Sequence, residues 1–221
     1  MDEAKRRLAA SRVDAMFDEL ATRVFSGRPG PSAESIPGIF HAASGERSPT
    51  TIRIIRPYLE SLSHHLDAKR AQAHAEIIRA LADDRPDAME QAADKIKADA
   101  QRLLETEATV ARNLGALQAA GRHAELLGVE DPVVVFLVHR VGACQECVRL
   151  HQTASGEPRA WLQSELGTGY HRRGEDNAKV GGLHPRCRCS LVYVPPGYGY
   201  RGGKLSFMSK DYSLLADQRK S

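Results

Sequence analysis

No stretch of this sequence approaches the roughly 20 consecutive apolar residues that a membrane span needs, so no transmembrane helix is expected. The opening residues, MDEAKRRLAASRVDAMF, are charged throughout and contain no apolar h-region, so a secretory signal is not expected either. Cysteine is scarce, with four residues in 221, and without export the usual setting for stable disulfides is missing. Aromatic side chains make up only 5%, while alanine is plentiful before residue 130, which favours helix over sheet there. Several signatures of chemistry are also missing. There is no H-E-x-x-H, no H-x-E before P-C-x-x-C, no glycine-rich phosphate loop and no Ser/His/Asp arrangement. No internal repeat or sustained heptad pattern occurs.

What is present is ordinary in bulk: 42% hydrophobic and 27% charged residues, enough chain for one sizeable core or two small ones. The net charge of +3 is unevenly spread. Residues 83–107 carry eight acids against four bases, whereas residues 139–204 carry ten bases against five acids. That basic half suits nucleic acid, an acidic protein surface, or a plain solvated face.

Spacing divides the chain. Leu8, Val13, Phe17, Leu20 and Val24 line one face of a helix over residues 2–25. Residues 26–48 are rich in Gly, Pro and Ser and read as a linker or extended arm, with Ile36, Ile39 and Phe40 as an apolar anchor or as packing for the chain's own helices. Ser48-Pro49 reads as a helix start, and Ile55, Tyr58, Leu59, Leu62 and Leu66 carry that helix through Pro57 to about Ala82. A helix from Pro86 places Met89, Ala93, Ile96 and Ala100 together, and another spans about Glu105–Leu127 before Gly128. The first 128 residues are thus a helical region. After Asp131-Pro132 the texture changes: VVVFLVH (133–139) and SLVYV (190–194) are the strand candidates. The remaining residues, 197–221, form a basic Gly/Tyr-rich tail expected to stay extended. The fold class is therefore α+β: a mostly helical region 1–128, a small stapled lobe 129–196, and the tail.

The staple is read from the cysteines. Cys144 and Cys147 form a C-x2-C turn that aims two thiolates the same way. His184, Cys187 and Cys189 follow in HPRCRC, with 39 residues between the two cysteine pairs. Five donors thus compete for the four positions of a tetrahedral Zn²⁺, either as four cysteines or as three cysteines and His184, with the fifth group outside the metal's own shell. Residues 140–190 hold seven glycines and few large apolar side chains, so a structural zinc would supply folding free energy that burial alone does not. Disulfides, or unpaired buried thiols, are the competing readings. With five donors the site looks closed, which speaks against a catalytic zinc. His171, Asn177 and His184 form a loose series similar to that of zinc-stapled HNH nucleases, at shorter spacings, and are the residues of an enzymatic alternative.

Taken in order, TEATVARN (Thr106–Asn113), VVVFLVH, the C-x2-C and HPRCRC resemble the phage Mu F-like head morphogenesis, or minor capsid, domain over about residues 104–194. The sequence departs from that family around its C-x2-C, with His139-Arg140 before it and RLHQTASG after it. The resemblance implies a non-enzymatic virion protein of a phage, prophage or gene transfer particle, present in the head beside the portal and in host cytoplasm during assembly. Its expected partners are portal or major capsid protein, with packaged DNA reached through Tyr198, Tyr200, Arg201, Lys204, Phe207 and Lys210. About 27 residues follow Val194, too few for the toxin domains joined to some members. A free-standing zinc-supported nucleic-acid binder is the third alternative.

Overall fold

The computed structural model describes residues 3–25, 35–45, 49–83, 86–139, 142–167, 169–172, 174–181, 184 and 186–219. Most of the expected linker, Ser48, Arg140 and Pro185 lie outside these, as do the side chains of Leu20, Val24, Met89, Ala93 and Ala100. The protein mixes helices with small antiparallel sheets, and its N-terminal region is helical. Two compact units are formed, residues 1–38 with 47–104, and residues 39–46 with 105–221. No helix among the described residues is long and apolar enough to cross a membrane.

In the first unit, α1 (Glu3–Phe25) packs antiparallel on α3 (Pro49–Ala82). Ala9, Val13 and Phe17 recur every four residues and are buried. Leu8, expected on that stripe, is 57% exposed because Ala9 holds its place in the repeat. On α3 the buried set is Ile55, Leu62, Leu66, Ala73, Ile77 and Ala80, a single stripe at helical spacing. Polar side chains fix the register of the pair. The His74 ring meets the Asp14 carboxylate at 2.9 Å, and Arg70 bonds Asp18 while lying 5.7 Å from the Phe17 ring centre.

The helix α4 (Pro86–Leu126) is continuous where two helices were expected, since no proline or glycine interrupts residues 87–114. It ends at Gly128, whose φ of 67° places it in the left-handed region. Val129 N–H donates to Ala124 C=O at 2.8 Å and Gly128 N–H to Glu125 C=O at 3.1 Å, the paired bonds of a Schellman stop. Within the expected linker, Ile36–Ser44 forms a helix, α2. Its Ile36 and Phe40 are 1% and 0% exposed, so the supposed anchor is spent on the chain's own packing. The Phe40 carbonyl and Ala43 press against Gly115 of α4 so closely that a Cβ there would sit 2.5 Å from the carbonyl oxygen.

The second unit is built on a three-stranded antiparallel sheet. Its central strand β1 (Val133–Leu137) lies between β2 (Ala160–Leu162) and β3 (Ser190–Val194). Both faces of β1 are covered, which is why its sequence is apolar without alternation. Val134 and Phe136 join Ala120 of α4, Leu150, Leu191 and the buried cysteines in one core. Val135 packs on the other side with Ala160, Val194 and Leu214.

That second face is covered by the tail, which is folded rather than extended. Strands β4 (Tyr198–Arg201) and β5 (Lys204–Phe207) form a hairpin closed by Gly202 and Gly203, both at positive φ, as a two-residue turn requires. A last short helix after β5, Leu214–Gln218, is capped by Ser213. Its Gln218 side chain takes the Ala160 N–H and gives to the Pro158 C=O, both at 2.8 Å.

Candidate metal centre

The first pair of donors is set by a helix end. Between β1 and β2 the residues Gln145–His151 form helix α5, and Cys144 is its N-cap, with Sγ accepting the Cys147 N–H at 3.3 Å. This bond holds the two sulfurs on the same side of the turn. Arg149 ties the helix down, making paired bonds to Glu146 at 2.8 and 3.0 Å and further bonds to Asp176 and the Glu175 carbonyl. That contact, with the Gly174 N–H, holds the Glu146 carboxyl well below its ordinary value, at about 2.

The second group comes from HPRCRC, a tight turn running directly into β3. The His184 carbonyl accepts the Cys187 N–H at 3.0 Å, and Arg186 between them has φ 62°. A side chain in that left-handed region is strained, and α4 holds it there. The Arg186 N–H donates to Thr106 Oγ1 at 3.0 Å, and the guanidinium meets Glu105 at 2.9 Å. From the next residue of the helix, Glu107 accepts the Tyr170 hydroxyl. Asn113 is 1% exposed. Its amide donates to the carbonyls of Cys189 (3.2 Å) and Val180 (3.4 Å), and its oxygen takes the Leu191 N–H at 3.0 Å. The TEATVARN element is therefore a set of clamps on the chain that carries the donors.

All five expected donors come together. The ligand atoms of Cys144, Cys147 and His184 lie within 4.8 Å of one another, as do those of Cys147, Cys187 and Cys189. Cys147, common to both sets, is 2% exposed, and its Sγ stands 3.5 Å from His184 Nε2 and 3.9 Å from Cys187 Sγ. A tetrahedral ion with sulfurs at about 2.3 Å and an imidazole nitrogen at about 2.1 Å separates two sulfurs by about 3.8 Å and a sulfur from that nitrogen by about 3.6 Å. The observed spacings match. All four cysteines are free thiols. Electrostatics point the same way. Cys147 is pushed far above the ordinary thiol range by its hydrogen bonds to Cys187 and Cys189 and by burial. For Cys189 the bond with Cys147 pulls down, but the Cys187 thiol and burial prevail and raise it to about 12. Crowded, buried thiols resist ionisation together, and a bound cation reverses that balance. The cluster can hold a metal ion.

The residues of the enzymatic alternative lie in different settings. His171 is buried with Nε2 2.8 Å from the Glu175 carbonyl, Asn177 is exposed, and His184 stands in the donor cluster. One residue beside the cluster escaped the sequence reading. His151 is fully buried and stacks on Phe136, with ring centres 4.4 Å apart, and among the described residues neither ring nitrogen has a hydrogen-bond partner. Burial lowers it to about 4, so the ring is neutral. Its signal was the spacing from Cys147, since four residues along a helix share a face. Compared with known proteins, the chain matches no family model, no curated protein and no solved structure.

Proposed function

We propose that the protein is a structural, non-enzymatic head component of a tailed phage, prophage or gene transfer particle, acting beside the portal during head assembly, with its second unit stapled by zinc. One observation carries this reading: Thr106, Glu107 and Asn113, the distinctive residues of TEATVARN, reach the HPRCRC box or the segment leading into it. The parts on which the resemblance rests thus form one working arrangement, with α4 holding the box and the box presenting the donors. Zinc suits a mixed sulfur and imidazole set at tetrahedral spacing, and it has no redox chemistry of its own. Its role is folding free energy, about 10 kcal/mol or more in a small module. Contacts with portal protein or DNA fall to exposed side chains of the hairpin, among them Arg201, Lys204, Phe207 and, just beyond, Lys210.

The test is co-expression of the full chain with the portal, scaffold and capsid proteins of its own particle, followed by gradient sedimentation. The chain is expected to travel with procapsids in few copies and to carry zinc. Heads that assemble while the chain stays at the top of the gradient would refute the reading. So would plasmid cleavage by the zinc-loaded protein that His184→Ala abolishes. Less than about half an equivalent of zinc after metal-replete purification would remove the staple.

A further inference from the structure

The five donors do not form one evenly spaced set. Their ligand atoms fall into two groups of three, Cys144 with Cys147 and His184, and Cys147 with Cys187 and Cys189. The second group is a fixed base. Its members are 2–3% exposed, the Cys187 N–H is held by the His184 carbonyl, and the Cys189 carbonyl is held by Asn113. Cys144 and His184 are only partly buried, and their ligand atoms lie within 4.8 Å of each other and of Cys147. Two sulfurs bound to one ion at about 2.3 Å stand no more than about 4.6 Å apart. Neither Cys144 nor His184 is grouped with Cys187 or Cys189, so each completes a set on the base only by turning its side chain inward. A tetrahedral ion on that base has one corner left, and one of the two donors fills it.

We propose that Cys144 and His184 are alternative fourth ligands of one ion seated on Cys147, Cys187 and Cys189, so that the staple holds when either is lost. The inference deepens the zinc reading above and rests on it. Four cysteines, or three cysteines and a histidine, both make closed four-coordinate zinc sites. The two donors are positioned independently. Cys144 Sγ is oriented by the Cys147 N–H at 3.3 Å, a bond that strengthens when the sulfur is a thiolate. His184 belongs to the turn that carries Cys187, and its Nε2 already stands 3.5 Å from Cys147 Sγ. Of the four cysteines, Cys144 alone is not buried, so it is the thiol that solvent-borne reagents reach first. His184 is then the reserve that keeps the ion in place.

The test is metal binding by the full chain with each donor removed. Cys144→Ser keeps an oxygen to cap α5, and His184→Ala removes the ring. Each single variant is expected to bind one equivalent of zinc and to release it to a chelator within about tenfold of the wild-type rate, whereas the double variant should release it more than about a hundredfold faster. With cobalt in place of zinc, His184→Ala should give the absorption of four thiolates, and Cys144→Ser that of three thiolates and one nitrogen. Cys144→Ala and His184→Asn repeat both losses with different side chains, so a folding defect of one substitution is told apart from loss of a ligand. Loss of the metal from both variants at either position overturns the proposal, as does a double variant that holds zinc as firmly as the single ones. Uptake of two equivalents by wild type, one for each group, overturns it as well. Failure of wild type to take up zinc or cobalt defeats the staple reading itself, whereas the other adverse results defeat only the exchange of ligands.

Discussion

Asn113→Ala removes one side chain and three hydrogen bonds, and the cost follows from what it leaves behind. The bonds to Leu191 N–H and Cys189 C=O are well formed at 3.0 and 3.2 Å, and the one to Val180 C=O is weaker at 3.4 Å. Asn113 is 1% exposed, so water does not readily replace it. A buried group left unsatisfied costs about 1–3 kcal/mol, which puts the two good bonds near 3 kcal/mol and the weak one near 0.5 kcal/mol. Alanine returns about 0.6 kcal/mol through better helix propensity in α4. The net expectation is a loss of about 3 kcal/mol, seen as a lower urea midpoint at unchanged slope in metal-loaded protein. Because the Cys189 carbonyl is one anchor, a metal ion held by the cluster should also leave faster. Asn113→Asp is the sharper probe: it retains an acceptor for Leu191 but aims a buried carboxylate at two carbonyls, and should cost at least as much. A loss below about 1 kcal/mol for both variants would refute the idea that this amide holds the box.

Arg186 sits at φ 62°, where a side chain costs about 1 kcal/mol, and its half-exposed pair with Glu105 returns less than that. Arg186→Gly should therefore be neutral or stabilising by up to about 1 kcal/mol in urea unfolding, whereas β-branched Arg186→Val should destabilise. At Gly115 a Cβ would meet the Phe40 carbonyl at 2.5 Å, so Gly115→Ala should cost about 1–2 kcal/mol despite alanine's helix preference. Gly121→Ala, whose nearest neighbour would be 3.7 Å away, should instead gain about 0.5–1 kcal/mol, and calorimetry on the pair checks both. The Glu146 carboxyl is held at about 2, against an ordinary 4.5, by Arg149 and then by Gly174 N–H. A depressed carboxyl stabilises above its unfolded value and loses that contribution as pH falls toward the folded one. The stability gap between wild type and Glu146→Gln should thus stay constant from pH 7 to about pH 5 and close below it. A gap that stays level or widens down to about pH 3 would refute the assignment.

The helices and the two longer strands were legible because burial repeats at their own periods. SLVYV is β3 as expected, and VVVFLVH supplies β1 over its first five residues. The donors were legible because cysteine spacing constrains geometry directly. β2 was not: three residues, Ala160–Leu162, are too few to show a period, and their place comes from pairing with β1. The tail misled for a different reason. Its glycines suggested an unstructured chain, yet Gly202 and Gly203 are the residues a tight hairpin demands, and Leu214 is buried only because a sheet face awaits it. His151 was hidden likewise, since its four-residue spacing from Cys147 gains meaning only once the ring is seen buried against Phe136.

The three-stranded sheet ends in strands whose outward backbone groups would ordinarily invite another strand. Here side chains occupy three of them. Asn113 takes Leu191 N–H beside β3, while Gln218 and Glu165 take the N–H groups of Ala160 and Leu162 on β2. Each acts as a short counterfeit strand, offering the bond without the continuing chain. The β2 border is thus closed to a further strand, and the β3 border is blunted at Leu191. For the head component proposed above, such borders favour ordered placement over edge-to-edge aggregation.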